Sequence, residues 1–528
     1  MVVWLLQQSF ILLLSFLVCT SLAYAQLEFG SEQRNIREVR VYISNIYSEE
    51  QALESSWSEF ANKYHMTTRE SVIRNEVLFK EGDVLDEELL KESERKLRRF
   101  SFLSEAKIEV IPVDEQTVDI EIRTRDAWSL TPGLDIDGGG GLGTVKAHLM
   151  EVNLLGYGKK AFIEGIYESD VGTTTKLGYR DYQLFNSRWN GSATYVNGPL
   201  VEGLYLQAVK PLYHLDSKWS YGGSTYTADQ IIRRFEDGEE SSRFASEQIM
   251  AQGFLKRSYG ERYNKLKLKF QLKYLKKDFS SLGAETTEPP PEDQANITPL
   301  VKLTKEHNLQ WEKFSFLNKM GRTEDNWLGQ TYGAHLGYGI PVQGGFELWD
   351  VGAFVSDNRT FAHQQLLKSD LNINSEVVRN TSLTAIAKYY NKFSWHTVAT
   401  RFKINYGYEL DSTRQYTLGA NNGLRGYPAR QFTGERLMLI NLEDRQFWGN
   451  YQLGPEIALG SVVFVDAGNV WKEEETIELK DLNWSTGVGL RLGFLNLPKQ
   501  PIFRLDLGWA VGDNSGFAVT FGQEQHFR

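Results

Sequence analysis

The sequence predicts an all-β transmembrane barrel of antiparallel strands, about 16 in number and up to about 20, preceded by one small α+β domain of order β-α-α-β-β. Three observations predict it. From Asp126 onward, apolar and polar residues alternate in one run after another. The composition is 13% aromatic with 46 Gly against 13 Pro, which suits many strands joined by tight turns better than packed helices. After residue 25 no apolar run reaches the ~18 residues that a membrane-spanning helix needs.

Residues 1–25 read as an export signal. Phe10 to Val18 form an apolar core, and Ala23-Tyr24-Ala25 gives the small-x-small cleavage pattern before Gln26. Cys19 lies inside that signal, so the processed chain has no cysteine for disulfides or thiolate metal sites. The formal charge of −10 opposes nonspecific binding to nucleic acid.

Residues 35–125 carry the mixed pattern. Arg37 to Ser44 alternates, with Val39, Val41 and Ile43 on one face, as a half-buried strand requires. Thr67-Thr68-Arg69-Glu70 has the spacing of a capping box, with Thr67 as the cap. Asp86 caps a second helix running to about Phe100, with Leu89, Leu90, Leu97 and Phe100 inward. Two strands close the unit, Ala106 to Ile111 and Thr117 to Arg123.

Residues 126–528 form the barrel. Leu266, Leu268, Phe270, Leu272 and Tyr274 alternate with Lys267, Lys269, Gln271 and Lys273. Phe402, Ile404, Tyr406, Tyr408 and Leu410 alternate with Arg401, Lys403, Asn405, Gly407 and Glu409. Phe503, Leu505, Leu507 and Trp509 alternate with Arg504, Asp506 and Gly508. Apolar residues facing lipid and charged residues facing a wet lumen explain this period of two. The polar stretches Glu236 to Ser242 and Glu285 to Ile297 read as outside loops. Phe517, Val519 and Phe521 alternate in a last strand that leads to Phe527 and Arg528.

Gly138 to Gly143 formally matches a GxGxxG nucleotide fingerprint. No helix follows it, so it reads as a hairpin tip or a glycine-weakened first strand. The eight histidines show no HExxH or i, i+4 pairing, and no metal or other cofactor is expected. No Gly-x-Ser-x-Gly occurs, and Gly512-Asp513-Asn514-Ser515-Gly516 reads as a turn; no enzyme is expected. One constellation stands out. Arg425 and Gly426-Tyr427 sit on a loop, while Asn441, Glu443 and Arg445 share one face of a strand and Asp466 faces inward from another. Two carboxylates inside a barrel repel unless a cation lies between them, and a planar guanidinium can bond both. Generic charge pairing in a lumen is the plainer reading.

Leu424-Arg425-Gly426-Tyr427, Val463-Phe464-Val465-Asp466-Ala467-Gly468-Asn469 and Asn153-Leu154-Leu155-Gly156-Tyr157-Gly158 resemble stretches of the BamA/TamA-like superfamily of outer-membrane assembly and translocation barrels, the bacterial surface antigen family. Residues 35–125 likewise resemble a POTRA domain, and a single such module departs from the best-known members. The resemblance implies a bacterial outer-membrane location with the POTRA-like domain in the periplasm. It gives Arg425, with Gly426 and Tyr427, the role of a latch in the lumen, closed on Glu443 and Asp466. A lateral seam is expected where Ser129 to Asp137 meets Phe517 to Gln523, marked by Leu130, Leu134, Phe517, Val519 and Phe521. The implied partners are outer-membrane lipid, unfolded polypeptide clients and periplasmic chaperones or accessory lipoproteins. A passive channel, or a membrane anchor with a structural plug loop, is the alternative.

Overall fold

The computed structural model describes residues 34–527 except 55, 284–288, 316, 321–322, 343–344, 377–379, 453–455, 495–501 and 512–515. The export signal and the 512–515 turn therefore lie outside the described residues. The chain begins with β1 (Asn35–Ser44), followed by α1 (Glu49–Glu54), α2 (Ser56–Tyr64), α3 (Glu70–Glu76), α4 (Glu87–Arg98), β2 (Leu103–Pro112) and β3 (Thr117–Asp126). β3 is central, parallel to β1 and antiparallel to β2. Its Val118, Ile120 and Ile122 are fully buried under Ile73, Leu90 and Leu97 of the helices. That accounts for the unbroken apolar period of this strand.

Helices α1 and α2 go beyond the expected β-α-α-β-β order, and their short polar sequences explain why no apolar period announced them. The capping box is a correction. Helix α3 starts after Arg69 with no side-chain cap. Thr68 instead gives both its amide and its hydroxyl to Asp126, at 2.7 and 2.8 Å, because this buried carboxylate needs donors. Asp86 does cap α4, accepting from Glu88 and Leu89 amides at 2.8 and 3.2 Å.

The barrel opens with β4 (Leu130–Gly139) and β5 (Leu142–Leu154) and closes with Ile502–Val511 and Phe517–Gln523. Among the described residues it has twenty antiparallel strands, all but the last pair joined to their neighbours in sequence order. The expected range of about 16 to about 20 strands includes this number at its upper end. The loop expectation for Glu236 to Ser242 is corrected: Trp219–Glu236 and Glu239–Glu261 run into this charged stretch, which turns as a tight hairpin at Asp237-Gly238. Glu239, Arg243 and their neighbours alternate, so the strands extend past the apolar band with charges on both faces. The Glu285 to Ile297 stretch likewise becomes strand from Gln294.

Phe270, Leu272, Leu505 and Trp509 are exposed on the outer wall, while Arg504 is partly buried and Asp506 fully buried inside. The dyad alternation thus sorts side chains between lipid and lumen. Gly140 and Gly141 form the β4–β5 hairpin tip, both with positive φ. Leu410 lies beyond its strand, which ends at Tyr408.

The small domain is fastened to barrel turns. Asn153 donates to Thr68 Oγ1 at 2.9 Å, and Gln183 donates to the Val72 carbonyl at 3.0 Å. The Tyr213 hydroxyl donates to Glu76 at 2.9 Å, the Leu215 amide donates to Glu92 at 2.9 Å, and Arg262 reaches Asp86 at 3.3 Å. Lys96 stands 3.0 Å above the Tyr213 ring and 3.1 Å from Glu76. Burial outweighs that attraction and lowers the Lys96 ammonium to about 8 from 10.5. Between those values the free state holds a proton that the docked state does not, so stability should rise as pH rises from about 8 toward 10.5 and stay level below 8. Thermal melts of the full chain in micelles should show that slope, and Lys96→Met should remove it; an unchanged slope in the variant would refute the assignment.

Candidate functional site

The segment between Tyr408 and Arg436 folds back into the lumen from the end of the barrel opposite the small domain. It carries its own two-stranded sheet, Tyr416–Leu418 against Phe432–Gly434. Between them, Asn422 accepts from the Gly419 amide at 2.7 Å and donates to the Thr417 carbonyl at 2.6 Å, tightening the turn that leads to Leu424. Leu418, Leu424 and Tyr427 pack on Leu437, Leu439 and Val470 of the wall, so the loop has an apolar core of its own. Outer braces come from the Trp219–Glu236 strand, where Arg234 meets Glu435 at 3.3 Å and the Phe235 ring lies 4.1 Å from Arg430.

At the tip, Arg425 is fully buried. Its Nε and Nη2 donate to the two oxygens of Asp466 at 2.8 and 2.9 Å, a bidentate fork. Nη1 donates to Glu443 Oε1 at 2.8 Å and lies 3.3 Å from Asp506 Oδ2. The guanidinium plane rests 3.5 Å from the Phe464 ring centroid, which covers one face without competing for its donors.

The surrounding residues complete the charge balance. Arg445 donates to the second oxygen of Glu443 at 2.8 Å, and Arg491 donates to the second oxygen of Asp506 at 2.5 Å. Asn441 donates to Asp466 at 2.7 Å. Arg504 also stands 3.6 Å from Asp506, so four guanidiniums face three carboxylates, all nearly or wholly out of water. Such a set is held by mutual pairing, since any one charge left alone there would bear its full desolvation cost.

Gly426 follows the arginine with φ of +95°, and a Cβ there would stand 3.0 Å from the Ala510 amide nitrogen and the Trp509 carbonyl carbon. Only glycine allows both that conformation and that approach. Tyr427 is buried and its hydroxyl donates to the Trp484 carbonyl at 2.9 Å. The structure therefore brings together Arg425, Gly426, Tyr427, Glu443 and Asp466. Asp506, Arg491 and Asn441 complete the cluster. Asp506 and Arg491 have a sequence signal, a lone charge at an inward position between outward leucines, but nothing local in the sequence tells which distant charge each meets.

A second plug lies below. Past Gln523 the chain turns inward: Gln525 accepts from Arg491 at 2.9 Å, and the Phe527 carbonyl accepts from Arg445 at 2.8 Å. The buried Phe527 ring packs with Phe314, Leu317 and Tyr390 in a cluster inside the barrel. Phe527 therefore does not extend the last strand, where the alternation Phe517, Val519, Phe521 had seemed to lead. Arg445 also holds the Leu317 carbonyl at 2.6 Å, so one guanidinium ties Glu443 to two inward segments.

The expected seam differs in register. β4 meets the last strand through only Gly138 with Phe521 and Gly139 with Thr520, not along Ser129 to Asp137. The reason is the inward turn after Gln523, which removes the partner for the rest of β4. Below that point the Gln523 side chain donates to the Leu134 carbonyl at 2.7 Å, and Arg504 reaches Asp137 at 3.2 Å. Leu130, Leu134, Phe517, Val519 and Phe521 all point outward and are exposed. At the loop end, Gly140, Gly141, Gly426, Tyr427 and Phe517 line a cleft of about 580 Å³ between the hairpin, the loop and the last strand.

Removing one charge from the buried set should cost ~3–5 kcal/mol locally. Arg425→Met should therefore expose the 409–435 segment to protease in intact micelles while the barrel still migrates as a folded species on unheated gels. Gly426→Ala should give the same phenotype through backbone strain alone. A protected segment in both variants would refute the account.

Several comparisons bear on this architecture. A family model for the Omp85 superfamily domain matches residues 153–525, and one for the POTRA domain (surface antigen variable number repeat) matches residues 61–125. No curated protein matches the chain. Among solved structures it is similar to BamA from Haemophilus ducreyi lacking POTRA domains 1–3, at 13% identity over 93% of this chain and 85% of that one, with a TM-score of 0.45. It is also similar to CdiB from Acinetobacter baumannii, at 10% identity over 98% and 96% of the two chains and a TM-score of 0.44. CdiB from Escherichia coli gives 12% identity, 96% and 93% coverage and a TM-score of 0.44. With more than half of its length matched by the superfamily model, this chain belongs to the Omp85 superfamily of outer-membrane barrels and carries one POTRA domain.

Proposed function

We propose that this protein inserts or translocates polypeptides at the outer membrane, without enzymatic chemistry, by offering unpaired strand edges to an unfolded client. The observation that carries this reading is the seam. β4 shares two residue pairs with the last strand, so its edge from Leu130 to Asp137 has no strand partner among the described residues. A free edge beside lipid is a template for a client strand, which would gain backbone hydrogen bonds there.

The POTRA domain offers a second edge on the periplasmic side. In the order β1-β3-β2, β1 is partly occupied, since the Val39 amide donates to Glu81 and its carbonyl accepts from Arg74. β2 is the other edge; its Ile108 amide donates to Glu94 at 3.0 Å, so a client strand would pair with the rest of its length. The Arg425 latch holds the 409–435 segment against the hairpin tip, where the Ala429 amide donates to the Gly140 carbonyl at 2.9 Å. Loop and seam are therefore in contact, and a change in one is felt by the other. Lipid, clients and periplasmic chaperones or accessory lipoproteins are the partners this reading requires.

The passive-channel reading is weakened by the two inward plugs, the loop above and the Phe527 cluster below. A photo-crosslinking residue at Leu134 should capture polypeptides in growing cells, and one at Leu272 on another part of the wall should not. Arg425→Met should reduce the yield at Leu134. Equal capture at both positions, or none at Leu134 together with a large steady current in planar bilayers, would favour the channel.

A further inference from the structure

The lumen wall away from the seam has a different character. Lys256, Lys269 and Lys302 lie on the three consecutive strands Glu239–Glu261, Asn264–Ser281 and Gln294–Ser315. The register pairs Lys256 directly with Lys269 and Lys269 directly with Lys302, and the row continues to His335 on the next strand. Their neighbours Leu255, Phe270 and Val301 are exposed on the outer wall, so all three lysines face inward. Directly opposed residues on antiparallel strands are about 5 Å apart, and like charges placed so destabilise a sheet.

This row has little to offset it. Among the described residues no carboxylate lies within ion-pair distance of Lys256, Lys269 or Lys302; Glu306 is paired with Lys267, and Asp350, beyond the end of the row, meets His335 and Lys273. Lys269 is bonded to the neutral Gln271, at 2.5 Å. The other contacts are aromatic: Lys269 lies 4.8 Å from the Phe254 ring and Lys302 lies 4.6 Å from the Phe354 ring. A ring face steadies a cation without neutralising it. The contrast with the Arg425 cluster is direct, since there every guanidinium meets a carboxylate.

A row of half-buried ammoniums with no counter-charge is what a bound anion of several charges would complete. We infer that Lys256, Lys269 and Lys302 form a lumenal site for a phosphate-bearing polyanion. Ammoniums are point-charge donors suited to phosphate oxygens. Three of them in line match a ligand whose charges are also in line, more than a single small ion. A free polyphosphate and the phosphorylated headgroup of a lipid share this chemistry.

The test uses the full chain in non-ionic micelles with inorganic tripolyphosphate as the probe. The melting temperature should rise with tripolyphosphate and not with sodium chloride at matched ionic strength. Lys269→Gln should weaken the tripolyphosphate affinity by about tenfold or more, as loss of one of three charge contacts implies. The same variant should melt higher than wild type without ligand, because a repulsion has gone; this keeps the test meaningful if binding is weak. Lys276→Gln, beyond the row, should leave both readings unchanged. Competition by bisphosphorylated lipid A in mixed micelles would assign the lipid source, and its failure the free phosphate. Equal responses to tripolyphosphate and chloride, an unaltered affinity in Lys269→Gln, or a response to polyglutamate alone would overturn the site.

Discussion

The buried guanidinium of Arg425 among Asp466, Glu443 and Asp506 is the constraint on which the interior arrangement depends. Three strands, the adjacent pair Arg436–Gln452 and Glu456–Trp471 and the later Ile502–Val511, each place a fully buried acid against this guanidinium. Without a cation, those acids could not stay ionised together away from water. A loop residue that supplies the cation thereby fixes where the loop ends, and the glycine after it fixes how closely the chain can lie on the wall. Arg445 and Arg491 share the same acids and carry the constraint down to Leu317, Gln525 and Phe527. Upper loop and lower plug are thus two ends of one charge network.

That network bears on the seam through geometry. Because the chain turns inward after Gln523 to meet Arg491 and Arg445, the last strand is short and β4 is left with an open edge. The interactions that seal the lumen and the weakness of the closure have a common origin. The POTRA domain, tied to the turns near Asn153, Gln183, Tyr213 and Arg262, sits under the first half of the barrel. The turn that carries Arg262 joins two of the strands of the lysine row, so the lumen is electrostatically two-sided: ion-paired and dry around Arg425, cationic and half-buried at the row.

Much of this was legible in the chain. Alternation in Leu266 to Tyr274 and Phe503 to Trp509 reports a wall between two media, because side chains on a strand alternate whatever their partners. Arg425, Glu443 and Asp466 could be singled out because buried like charges demand an opposite one. The capping box at Thr67 failed because Asp126, far along the chain, competes for Thr68 more strongly than a helix end does. The reach of the Trp219–Glu236 and Glu239–Glu261 strands was not legible, because charged residues beyond the apolar band look like loop in sequence yet pair as strand. The inward Phe527 was missed because an aromatic at that position has the same pattern whether it faces lipid or lumen.

The sequence by itself determined the two-part organisation and the inward and outward faces of the strands, and it singled out Arg425, Glu443 and Asp466, since these follow from local period and from the chemistry of charge. Tertiary structure alone decided which charges meet. Asp506 and Arg491 joined the Arg425 cluster, and three lysines fell into one row, only when the stagger of neighbouring strands set their heights in the barrel. A period of two specifies a face but not a register, and register is where this protein keeps its function.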